Sequence, residues 1–146
     1  QMKVEPIEIT ILSIHSENIP LDKITTNGLF ALGTDIDPFY TKKNKLEGSI
    51  LGLKGKMPPI YSKVDIVVTD EFDLNVKDLV TLQVKSTQTM CRITSIKGKK
   101  KKTISLNCQN PLCIFPNSTV SFWTSDTSDK KFITSGVFKT GFIVCK

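Results

Sequence analysis

Few residues in this chain could do chemistry. Four cysteines, Cys91, Cys108, Cys113 and Cys145, accompany a single histidine, His15. Thiolates and imidazoles can hold zinc or pair as nucleophile and base, but both uses need particular spacings. Structural zinc sites favour two knuckles of Cys-x2-Cys or Cys-x4-Cys, whereas Cys108 and Cys113 lie five apart and His15 is far from either. No nucleophile and carboxylate accompany His15, which reads as a surface or strand-end residue. The thiols read as reduced, small core hydrophobes. Asp35 and Asp37 would project to the same side of an extended segment, a spacing that suits a metal or a shared proton, yet aspartate before Pro38 is ordinary turn chemistry. Gly52-x-x-Gly55 lacks the Gly-Lys-Ser/Thr ending and the following helix of a phosphate loop, so it reads as strand-end geometry. We expect no catalytic, cofactor-binding or metal-binding residue here.

What remains is charge. Lys97, Lys99, Lys100, Lys101 and Lys102 crowd around Gly98. Five ammonium groups in so short a stretch repel one another unless an anion neutralises them or water and salt screen them. Two uses are open: a solvated loop that keeps a sheet edge from aggregating, or contact with an RNA backbone. Lys130 and Lys131, with Lys139, extend the patch if their loops converge. Residues 1–37 hold two lysines against six acidic residues, net −4, and residues 38–146 hold eighteen basic residues against eight acidic ones, net +10. That positive field favours a polyanion such as RNA. Nineteen of the twenty basic residues are lysines, which act as point charges where arginine would act as a fork, so phosphate steering is indicated and base reading is not. Trp123 reads as barrel packing ahead of a base-stacking platform.

These lysines must be positioned by strands. No segment keeps a 3.6-residue apolar period over ten or more positions, and period two recurs instead. Ile7, Ile9 and Ile11 alternate with polar residues, and Leu29 to Leu32 follow an Asn27-Gly28 turn signal. Leu46 to Leu53 and Val64 to Val68 flank the Pro58-Pro59 break, and Val80, Leu82 and Val84 share one face. Cys91 to Ile96 and Thr103 to Cys108 are joined across Lys97-Gly98-Lys99-Lys100 as a basic hairpin. Val120 to Thr124 and Phe132 to Phe138 close the series, Gly141 to Cys145 adds a short strand, and Asp70 to Leu79 has room for a helical turn. About seven strands from Leu46 to Cys145 predict an antiparallel sandwich or closed barrel. An apolar fraction of 39% in 146 residues supports a core. No stretch approaches 18 unbroken apolar residues, so no membrane-spanning segment is expected. The opening residues have no signal-peptide regions and a cytoplasmic location is the default, while Gln1 before Met2 suggests that the natural beginning is missing.

The stretch from Gly28 to Tyr61 is specific. Gly28, Leu29, Gly33, Thr34, Asp37, Pro38, Leu46, Gly48, Leu51, Gly52, Gly55, Pro58, Ile60 and Tyr61 fall in the order of a Gly-Gly-Leu-Ile-Ala-Val-Gly-Thr-x-Leu-Asp-Pro pattern followed by Leu-Val-Gly-x-Val-Leu-Gly-x-x-Gly-x-Leu-Pro-x-Ile. By these residues the chain resembles the gamma subunit of eukaryotic and archaeal translation initiation factor 2. Ser86-Thr87-x-Thr89 with Arg92-Ile93, and Pro111-Leu112-Cys113, are similar to two further segments of the family. Where the family has paired glycines before that arginine, Met90-Cys91 stand here. A long insertion after the second strand shrinks to Thr69 to Asp73. A basic segment near the end has lost most of its arginines, leaving Lys130 and Lys131 as its counterparts.

The resemblance implies an all-β chain. Residues 1–37 would be the C-terminal strands of an incomplete second β-barrel, and residues 38–146 a complete third domain, an antiparallel Greek-key β-barrel of the translation-factor type. It implies that the parent binds GTP with magnesium in a domain absent here, joins alpha and beta subunits, and delivers initiator methionyl-tRNA to the small ribosomal subunit. No membrane is involved. This chain would then be no enzyme and would hold no cofactor. Its candidate RNA-contacting residues are Lys97, Lys99, Lys100, Lys101, Lys102, Lys130 and Lys131. A selenocysteine-specific elongation factor and a stand-alone β-barrel interaction module are the alternatives, the first disfavoured by Asp37-Pro38 and by Lys56 to Ile60. Residues 1–37 alone would either stay disordered or pair with another chain.

Overall fold

The computed structural model describes residues 4–25, 28–126 and 128–145. Asn27 of the expected turn, and Gln1 and Met2, lie outside them. The chain forms two compact units, one spanning Pro6–Glu47 and the other running from Gly48 onward.

The smaller unit is a three-stranded antiparallel sheet. Strands β1 (Ile11–Ser16), β2 (Ile19–Leu21) and β3 (Ala31–Thr34) lie in the order β2-β1-β3. Glu17 and Asn18 both have positive φ, 49° and 66°, the left-handed pair that a two-residue hairpin needs to match strand twist. Pro20 sits on edge strand β2, where its missing N–H removes no needed bond. Ile7 and Ile9, expected within a strand, precede β1, because the last ladder position is Ile11 opposite Thr34. Beyond it a side chain joins the backbone: the Asp35 N–H donates to the Thr10 carbonyl at 3.3 Å, and the Asp35 carboxylate accepts from the Thr10 N–H at 2.7 Å. Asp37 then caps the one-turn helix α1 (Pro38–Thr41), its Oδ1 accepting from the Phe39 N–H at 2.8 Å with Pro38 at the first position.

The larger unit is a closed six-stranded antiparallel barrel. Strands β4 (Ile60–Val68), β5 (Leu79–Val84), β6 (Thr87–Lys97), β7 (Lys102–Cys113), β8 (Thr119–Thr124) and β9 (Phe132–Cys145) run in the order β4-β7-β6-β5-β8-β9, and β9 closes back on β4. The hairpins β5-β6-β7, with β4 returning beside β7, make the Greek key. Alternate residues point inward, and Val64, Ile66, Val68, Val80, Leu82, Ile93, Ile104, Leu106, Val120, Phe122 and Phe138 are buried in one cluster. Tyr61 seals it, its ring edge-on to Phe138 at 4.8 Å. Met90 and Cys91 continue β6 in regular register opposite Thr81 and Val80.

Three expectations are corrected. Leu46 to Leu53 is not a strand: Gly48 within it lies at φ +77° and Gly55, two residues beyond it, takes the same value, so one turn opens the segment and another follows it. Six strands therefore close the barrel, not seven. Phe132 to Phe138 and Gly141 to Cys145 are one strand, because Gly141 keeps its place opposite Val64 in the ladder. Asp70 to Leu79 forms no helix; it carries a turn at Val76-Lys77 with Lys77 at φ +77°.

Candidate nucleic-acid interface

The lysine run sits on the β6–β7 connection. Lys97 ends β6, Lys102 begins β7, and Gly98 to Lys101 make the turn. Gly98 has φ +108°, and a Cβ there would run into the Lys101 carbonyl, so only glycine lets the hairpin close so tightly. Lys97, Lys99, Lys100 and Lys101 are exposed. Lys102 differs: it is half-buried, and its ammonium lies 5.0 Å from the centre of the Phe72 ring, a cation–π contact that ties it to the barrel.

Lys101 reaches a groove of about 310 Å³ on the barrel wall, lined by Thr69, Asp70, Thr119, Ser135 and Lys139 among others. Thr69 and Asp70 follow β4, Thr119 opens β8, and Ser135 and Lys139 alternate along the outer face of β9. Two lysines and three hydroxyl-bearing residues thus border one groove with a single aspartate. Such a set suits phosphate oxygens: lysine supplies charge and hydroxyls supply directed donors. Lys139, which the sequence alone places no nearer to the lysine run than Lys130 and Lys131, is the lysine that lines the groove with Lys101. The hydroxyl partners carried no signal beyond the i, i+2 spacing of Ser135, Val137 and Lys139.

Lys130 and Lys131 do not line this groove. Lys130 donates to the Gln88 side-chain carbonyl, and Lys131 pairs with Asp129 at 3.6 Å with both side chains about 70% exposed, a contact weakened by water and salt. Their loop is tied down locally. The Lys131 N–H donates to Thr124 Oγ1 at 2.9 Å, and Asp126 accepts from the Ser128 N–H and hydroxyl at 2.9 and 2.8 Å. Those Ser128 donors hold the Asp126 carboxyl below its usual range. Trp123 packs edge-on to Phe132 at 5.5 Å.

The other candidates resolve into structure. Asp35 and Asp37 hold backbone N–H groups, and the Thr10 N–H holds the Asp35 carboxyl below its usual range. His15 lies in β1 opposite Pro20 and Ala31. All four cysteines are free thiols. Among the described residues no group of three or more His, Cys, Asp or Glu is placed to hold a metal, and no helix is long and apolar enough to cross a membrane.

Fold and surface together define a β-barrel protein with a lysine-rich hairpin beside a two-lysine groove. No family model matches the chain. Individual proteins do. The translation initiation factor 2 subunit gamma of Pyrococcus furiosus is 30% identical over 151 aligned positions, covering 95% of this chain and 36% of the relative. Its counterpart in Methanocaldococcus jannaschii is 34% identical over 106 positions, 64% of this chain and 26% of the relative. The eukaryotic translation initiation factor 2 subunit gamma of Schizosaccharomyces pombe is 32% identical over 66 positions, covering 45% and 15%. The chain belongs to the translation initiation factor 2 gamma subunit family. It spans about a third of the length of its Pyrococcus relatives.

Proposed function

We propose that this chain is the C-terminal β-barrel portion of a translation initiation factor 2 gamma subunit. In this reading it belongs to the GTP-dependent complex, with alpha and beta subunits, that delivers initiator methionyl-tRNA to the small ribosomal subunit in the cytoplasm. Residues 1–37 act as the closing strands of the second barrel and residues 38–146 as the third. GTP and magnesium belong to a domain that these residues do not contain, so the chain's own part is docking and scaffolding. The observation that carries the proposal is the relationship across 95% of the chain.

The surface supports a role for the third barrel on ribosomal RNA. Lys97, Lys99, Lys100 and Lys101 supply long-range attraction to phosphates, and the groove between Lys101 and Lys139 supplies a place for one phosphate group. Lys102, Lys130 and Lys131 are held by Phe72, Gln88 and Asp129, and contribute to the field more than to contact.

Affinity purification of the native protein that carries this sequence should recover the alpha and beta subunits with initiator tRNA. Recovery of neither subunit and no tRNA overturns the assignment. Binding of the chain to small-subunit RNA should weaken as salt rises, each phosphate contact adding about 0.7–0.9 to the magnitude of the log-log slope. A slope unchanged on replacing Lys99 to Lys102 with alanine removes the hairpin from the interface.

A further inference from the structure

Cys91 and Cys108 are register partners on β6 and β7. Their sulfurs lie 3.3 Å apart, the Cys91 S–H donating to Cys108 Sγ. Directly opposed residues on antiparallel strands have Cα atoms about 4.5–5.5 Å apart, inside the range of about 4.4–6.8 Å that a disulfide spans. Closing a bond would bring the sulfurs to about 2.05 Å with little demand on the backbone. Cys91 is 1% exposed and Cys108 half-buried, so an oxidant reaches one sulfur before the other.

We propose that Cys91 and Cys108 form a dithiol modification site, oxidised by a small disulfide such as oxidised glutathione to a cross-strand disulfide at the base of the lysine hairpin. The Cys108 thiolate attacks one sulfur of the oxidant, the oxidant's S–S bond breaks, and one glutathione thiolate leaves. The Cys91 sulfur then attacks Cys108 Sγ in the mixed disulfide, expelling the second glutathione thiolate, which takes up the Cys91 proton as it leaves. Two cysteine thiols lose two electrons and two protons, and one glutathione disulfide gains them as two thiols. The roles follow from the asymmetry of the pair: the hydrogen bond to Cys108 and then burial push the Cys91 thiol far up, which makes Cys108 the entering nucleophile and Cys91 the resolving thiol.

The other two cysteines are an internal control. Cys113 and Cys145 both lie opposite Ile60, one on each flanking strand. Ile60 therefore stands between them in the ladder, and no register sets them face to face as it does Cys91 and Cys108.

The test treats the whole chain with oxidised glutathione at mildly alkaline pH and reads intact mass, alkylatable thiols and non-reduced peptides. The chain should lose the mass of two hydrogen atoms, its four free thiols should fall to two, and the linked peptide should join Cys91 to Cys108. The oxidised chain should unfold at higher denaturant than the reduced one, because the bond closes a loop from Cys91 to Cys108 that holds the turn and the adjoining halves of β6 and β7. Cys108→Ser, at a half-buried position, should form no cross-link and leave Cys91 unmodified. Glutathione retained on Cys108 in the wild-type chain, a linkage between any other pair, or four thiols surviving conditions that oxidise a free dithiol peptide overturns the proposal.

Discussion

The barrel and the three-stranded sheet are built from the same alternating residue types, yet they treat solvent in opposite ways. In β4, Val64, Ile66 and Val68 are at most 1% exposed; in the smaller sheet Leu12 is 68% and Ile19 61% exposed. No described residue from 4 to 47 is buried. The difference is one of closure. Each barrel strand has two neighbours and an interior to face, whereas β2 and β3 are outer strands with no second layer against their faces within that unit. Alternation therefore shows where a strand is; the number of strands that reach closure decides whether its apolar face becomes a core. Full burial of a Val, Leu, Ile or Phe contributes about 1.5–3 kcal/mol, so the barrel's stability is its own and the sheet has little.

The sharpest way to break this comparison is a matched pair of truncations. Phe138→Ala removes a fully buried ring and its edge contact with Tyr61, and should cost about 3–5 kcal/mol in chemical denaturation. Leu12→Ala in β1 should shift the same transition by under about 0.5 kcal/mol. Comparable losses would show that the sheet has a core of its own. Hydrogen exchange sharpens the contrast: amides at Ile66, Leu82 and Phe122 should open only with global unfolding, and those at Leu12 and Ile14 through local opening at a free energy near zero. Uniform protection across both units would refute it.

A smaller effect distinguishes two groups of lysines within the barrel. Lys101→Ala with Lys139→Ala should lower the salt slope of RNA binding by about 1 to 2, because both lysines line the same open groove. Lys130→Ala with Lys131→Ala should lower it by less than half as much, since Gln88 and Asp129 already engage those side chains. Equal losses from the two pairs would place the contact across both loops.

Most of the barrel was legible because its strands obey period two and Gly98 marks the hairpin. Leu46 to Leu53 was not legible: its leucines and isoleucine make it apolar enough for a strand, but Gly48 within it and Gly55 just beyond it take left-handed φ, and a sequence does not say which of its glycines will do so. The short β2 escaped notice because Pro20 argues against a strand unless the edge position is known. The lysine hairpin could be read from charge alone. Its groove could not, since Thr69, Thr119, Ser135 and Lys139 meet only through the register that sets Val137 opposite both Val67 and Thr119. The Cys91–Cys108 pairing is hidden for the same reason: two residues seventeen apart face each other only once the hairpin's register is known.

The smallest predicted effect lies at the end of the three-stranded sheet, where the Asp35 side chain joins the backbone pairing. Its carboxyl is fully exposed, and the Thr10 N–H lowers its pKa below the usual 3.8. A lowered folded pKa means that the folded state favours the carboxylate. The clasp therefore contributes fully above the unfolded value and is lost as pH falls through the folded one. The Thr10 amide resonance should titrate with a midpoint below 3.8. In Asp35→Asn that titration should vanish, because the amide oxygen can still accept the bond but carries no charge to neutralise. Buried amides of the barrel, such as Ile66 and Phe122, should hold their positions through the same pH range. Movement of those core resonances in step with Thr10 would mean that the sheet and the barrel melt together, against the independence argued from their burial.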